Sequence, residues 1–111
     1  MRTRPLLIVS LLALTSLSAA QGQQMFVGTI TDDMCAKDGH ETMRMGPNDA
    51  ECTKACITAH GAEYVLADGK NVYTLSDQKA PEKFAGQRVR VTGTLDAKTK
   101  KIQVQSMTAA K

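Results

Sequence analysis

The 111-residue sequence contains no tryptophan, two phenylalanines and two tyrosines. Recognition of single-stranded nucleic acid needs stacking aromatics beside a basic groove. A small core would absorb at least two of these four aromatics (Phe26, Tyr64, Tyr73, Phe84), so little remains for such a platform. Charge of one sign is lacking too. The formal net charge is +3, and Arg2 and Arg4 supply two of those charges. No Ser-centred nucleophile motif, phosphate-cradling glycine loop, haem attachment sequence or Cys-x-x-Cys pair occurs. Asp32 and Asp33 are adjacent at a strand end, where they read as groups that solvate a turn or cap a loop, not as an acid–base pair. Nothing here points to an enzyme or to a nucleic-acid partner.

The only long apolar run is at the N-terminus, from Leu6 to Leu17. It falls short of the roughly 20 residues that span a bilayer. Arg2 and Arg4 precede it and Ser18-Ala19-Ala20 follow, which is the pattern of a secretory signal peptide. Residues 1–20 are therefore expected to be a leader, and the mature chain to be periplasmic or secreted with no membrane span. The first cysteine is Cys35, so lipid attachment near the cleavage region is not expected. The 91 residues after Ala20 carry +1 and only 14 Leu, Ile, Val or Phe. Such a lean core gains from a covalent or metal staple.

After a polar spacer (residues 21–24) comes a single domain, 25–111. Met25 to Thr31 alternates as a strand. Tyr64–Ala67 and Val72–Leu75 form a hairpin through Asp68-Gly69, a pair that tolerates the positive φ of a tight turn. Arg88–Leu95 puts Val89, Val91, Gly93 and Leu95 on one face, and Ile102–Met107 turns Ile102 and Val104 inward. Arg88 and Arg90 face outward with Thr92 and Thr94, as a solvated sheet face. Asn48, with Glu51 three residues on, opens a helix that runs to His60 and closes at Gly61. Pro81–Ala85 is a second, shorter helical piece, anchored by Phe84 and followed by Gly86. Asp32–Pro47 reads as loop.

This order predicts an all-β fold with minor α: a five-stranded OB-like barrel. It has a loop-helix insertion between strands 1 and 2 and a short helix between strands 3 and 4. Val-Gly-Thr-Ile (27–30), Tyr-Val-Leu-Ala-Asp-Gly (64–69) and Gly-Gln-Arg-Val-Arg-Val-Thr-Gly-Thr-Leu (86–95) resemble small exported bacterial proteins with such barrels. The segment with Cys35, Cys52, Cys56 and His60-Gly61-Ala62-Glu63-Tyr64 resembles an uncharacterised family of them. That resemblance implies the fold and export, and brings no activity or functional residue.

The chemistry is concentrated in one stretch: Met34, Cys35, His40, Met43, Met45, Cys52, Cys56 and His60. In an oxidising compartment one disulfide is the default. If the first two strands pair antiparallel, Cys35 lies near the end of the helix that feeds the second strand. That favours a Cys35–Cys56 bridge over Cys35–Cys52 and leaves Cys52 as a free thiol. Such a bridge closes a loop of roughly 20 residues, worth about 3 kcal/mol in the chain-entropy model.

The alternative is a copper or zinc site built from Cys35, His40, Cys52 and Cys56, with Met43, Met45 and His60 as auxiliaries. Cys52, Cys56 and His60 recur every four residues on one helix face, but Cys52 and His60 stand about 12 Å apart along it. A helical chelate would therefore use a neighbouring pair and a loop ligand. On the first reading the protein is a non-enzymatic binding or structural module without a cofactor, a monomer with a small ligand or a protein as its partner. On the second it is a periplasmic metal-binding protein.

Overall fold

The structure, a computed structural model, describes residues 22–110. The expected leader lies outside the described residues. Five strands build the domain: β1 (Gln24–Asp32), β2 (Tyr64–Ala67), β3 (Val72–Leu75), β4 (Arg88–Asp96) and β5 (Lys101–Ala109). They hydrogen-bond in the order β1-β2-β3-β5-β4, and β4 pairs back onto β1, so the sheet closes in a ring. Every neighbouring pair is antiparallel except β3 with β5. No helix among the described residues is long and apolar enough to cross a membrane.

The first strand makes the closure. Its Gln24–Thr29 half pairs with β4 and its Thr29–Asp32 half pairs with β2, so one strand serves two neighbours. Close approach of backbone at that changeover requires Gly28: a Cβ there would sit 2.6 Å from the carbonyl oxygen of Ala67. Gly93 has the corresponding role where the β4–β5 register shifts after Thr92. A Cβ at Gly93 would run into the backbone of Gln103 and the side chain of Ile102. Backbone cannot rotate aside as a side chain can. Gly93→Ala is therefore expected to lower stability by about 1–3 kcal/mol, read as a fall in the denaturant midpoint at unchanged slope.

The interior is small, as the composition requires. Ile30, Tyr64, Leu66, Leu75, Ala85, Val89, Val91 and Ile102 form the buried core, with Phe26, Ile57, Tyr73, Phe84, Leu95 and Val104 packed against it. The hairpin turn is as expected. Gly69 has φ of 95°, and the Asp68 carboxylate accepts from the backbone N–H groups of Lys70 and Asn71. Those bonds hold the Asp68 carboxyl below its ordinary pKa. The piece between β3 and β4 is a 3₁₀ helix, Ala80–Phe84, and its buried residue is Pro81. Phe84, the expected anchor, is only partly buried at the edge of the core.

Two helices lie between β1 and β2: α1 (Asp33–Asp38) and α2 (Asp49–His60). The second follows the sequence closely. The Asn48 side chain accepts from the Glu51 N–H at 2.9 Å, and Gly61 closes the helix in the left-handed conformation at φ 66°. The first departs from the expected loop over Asp32–Pro47. Asp32 caps α1 by accepting from the Cys35 N–H at 3.0 Å, and Gly39 ends it. Six residues with no apolar periodicity gave no helical pattern. The capping bond and the packing of Cys35 hold the turn together instead.

Candidate functional site

Helix α2 places Ala50 and Ile57 against the main core. Its fully buried residues are Cys52, Thr53 and Cys56, and the two cysteines pack against Cys35 of α1. With Met43 and Ala62 at its edge, this is a second core whose buried members are all cysteines. The insertion between β1 and β2 has no large aliphatic side chain in that cluster.

Cys35 is at its centre. Its Sγ lies 3.7 Å from Cys52 Sγ and 3.9 Å from Cys56 Sγ. All three are free thiols in the structure. No pair stands at the ~2.05 Å of a disulfide, and of the two expected partners Cys52 is marginally the nearer. The antiparallel pairing of β1 with β2 that brought Cys35 toward the helix is present, with Asp32 opposite Tyr64.

The loop from Gly39 to Asn48 folds over the sulfurs. Cys52 Sγ donates to the Met43 carbonyl at 3.3 Å, and the Met45 N–H donates to Cys52 Sγ at 3.4 Å. Met45 Sδ approaches Cys56 Sγ at 3.8 Å.

His40 enters from the same loop. Its Nε2 is 3.1 Å from Thr31 Oγ1, while its Nδ1 is buried without a hydrogen-bond partner. With Nε2–H given to the threonine oxygen, Nδ1 carries the lone pair. Asp32 has a matching asymmetry: Oδ2 caps α1, and Oδ1 is buried without a partner. Leaving such atoms unpaired in a protein interior costs about 1–3 kcal/mol each. Both residues contribute to potential ligand sets. Cys35, His40 and Cys52 form one group with donor atoms all within 4.8 Å, and Asp32, Cys35 and Cys56 form another.

The electrostatics follow from burial. Desolvation pushes the Cys35 thiol far above the ordinary thiol range, and the neighbouring Asp32 carboxyl group adds to it. Desolvation also raises Cys56, with contact to Cys35 acting in the opposite direction. A reactive nucleophilic thiol needs exposure and a lowered pKa. Cys35 and Cys56 have neither. A bound cation would reverse the balance, because a coordinating thiol is deprotonated outright.

The sequence singled out Cys35, His40, Cys52, Cys56, Met43 and Met45, and the structure brings all six together. His60 is set apart: it is exposed in the last turn of α2. Residues four apart drift about 40° around a helix, so two such steps carry His60 well off the face that holds Cys52. Asp32 was read only as a turn or capping group. It caps, but it is fully buried among the thiols. An Asp followed by Cys three residues on and Gly at the helix end was the available signal. Compared with known protein families, curated proteins and solved structures, the chain matches none.

Proposed function

We propose that this protein is an exported, non-enzymatic metal-binding module: an OB-like barrel whose β1–β2 insertion holds one ion at Cys35, with Cys52, Cys56 and His40 as the donors disposed around it. One observation carries the reading. Three free thiols meet at Cys35 beside an imidazole whose Nδ1 is buried and unpartnered. A metal is the partner that satisfies both kinds of donor, since thiolate and imidazole suit zinc and copper alike. The hydrogen bond between His40 and Thr31 is the kind of outer contact that fixes ring orientation in metal-bound histidines. Sulfurs bound at about 2.3 Å to a tetrahedral ion stand about 3.8 Å apart, which compares with 3.7 and 3.9 Å here. The OB-like assignment is supported by the strand order and by the single parallel β3–β5 pair.

The same contacts favour a second reading. Cys35 touches both other sulfurs, so a small rotation of one side chain would form a Cys35–Cys56 or Cys35–Cys52 disulfide and staple the lean barrel. Elemental analysis and a thiol count on mature protein, purified without oxygen or added chelator, separate the two. One metal per chain and three thiols after denaturation with chelator are expected. One thiol and no metal would replace the metal site with the disulfide.

A further inference from the structure

Resting on the metal-binding reading, we infer that the ion is monovalent copper and that the Met45 thioether is one of its ligands. The donors are unevenly grouped. They fall into two overlapping groups of three that share Cys35, not into one group of four. A structural zinc site closes a tetrahedron with four protein ligands. Three donors around a shared thiol make a weaker match to that requirement, and the second group leads outward to another sulfur.

That sulfur is Met45 Sδ, 3.8 Å from Cys56 Sγ. Cys56 in turn lies 3.9 Å from Cys35, so thiol, thiol and thioether follow one another at almost equal spacing. Thioethers are ligands for cuprous copper, whereas zinc takes thiolate, imidazole and carboxylate. Met45 is also in an unusual position for a gap-filling methionine. It is 37% exposed, one of three large hydrophobics left open to solvent among the described residues, yet its sulfur faces a fully buried thiol.

Its place is fixed by the backbone. The Met45 N–H and the Met43 carbonyl both bond to Cys52 Sγ. Arg44, between them, turns the other way, to Asp49 at 3.6 Å. The strap thus keeps its cation away from the sulfurs and presents Met45 to them. Half in solvent and half against Cys56, Met45 is the first soft donor that an arriving copper ion would meet. Cys56 and Cys35 then lie inward of it.

The test uses reduced, metal-free mature protein. Cu(I) is titrated against a chromogenic cuprous chelator, and Zn(II) is titrated in parallel against a zinc dye. One Cu(I) per chain is expected, held more tightly than zinc. Met45→Leu keeps the bulk and removes the sulfur. It should weaken Cu(I) at least about tenfold, the lower end of the loss from disturbing the surroundings of a metal, and leave Zn(II) unchanged. Met25→Leu, at an exposed methionine on β1, should change neither, and circular dichroism confirms that both variants fold. Tighter zinc than copper, or a Met45→Leu protein equal to wild type for Cu(I), would overturn the copper assignment while leaving the metal site in place. Binding of neither ion would overturn both.

Discussion

Cys35→Ser is expected to abolish metal binding, whereas Cys52→Ser and Cys56→Ser each weaken it and leave measurable affinity. The asymmetry follows from the arrangement and not from residue type, since all three are buried cysteines. Cys35 belongs to both donor groups, Cys52 only to the one with His40, and Cys56 only to the one with Asp32. Removing Cys52 leaves Cys35 with Cys56 and Met45. Removing Cys56 leaves Cys35 with Cys52 and His40. Removing Cys35 leaves two thiols on the same helix, one turn apart, with no sulfur between them. A serine hydroxyl does not replace the thiolate, because soft ions discriminate strongly for sulfur. Competition titration of the three variants checks the order, and His40→Ala should fall with Cys52→Ser. Equal losses at all three cysteines would show that the donors act as one set. The structure's division into two groups would then not describe binding.

The difference between Cys35 and its two partners was not legible in the sequence, although the cluster was. Composition and spacing singled out most of the residues that the fold gathers, because every cysteine and histidine of the chain and three of its six methionines fall in that one stretch. The strands were equally clear: alternation in Arg88–Leu95 and the Asp68-Gly69 turn depend on local chemistry that any chain must obey. Asp32 and α1 were hidden for the opposite reason. Six residues without a hydrophobic stripe form a helix only because Asp32 caps them and Cys35 is packed from across the insertion, and both causes are tertiary. His60, expected only as an auxiliary, lies exposed in the last turn of α2 because two four-residue steps rotate it well away from Cys52. Phe84 yielded its place as anchor to Pro81 because a 3₁₀ turn rotates its side chains differently from an α-helix.

Removing the metal is expected to lower the melting temperature by about 10–20 °C, with the loss concentrated first in α1 and α2. The barrel core packs aliphatic side chains from all five strands, with the rings of Phe26 and Tyr73 in tilted contact at its edge. The insertion has three thiols, Met43 and Ala62. Thiols bury less apolar surface than leucine or isoleucine, so this second core contributes little hydrophobic stabilisation at ~25 cal/mol per Å². It also contains the unpartnered Asp32 and His40 atoms, each a cost that a ligand would offset. An ion that binds the native state alone adds RT ln(1 + [L]/Kd), about 2.7 kcal/mol when free metal is a hundred times Kd. For a domain of this size each kcal/mol moves the midpoint by about 4–8 °C, which gives the expected range. Cys35→Ser should melt at the same temperature with and without metal, separating linkage from a nonspecific salt effect. Hydrogen exchange locates the change. Amides of α1 and α2 should lose protection on metal removal, while those of β4 and β5, paired along almost their whole length, keep theirs until the barrel itself opens.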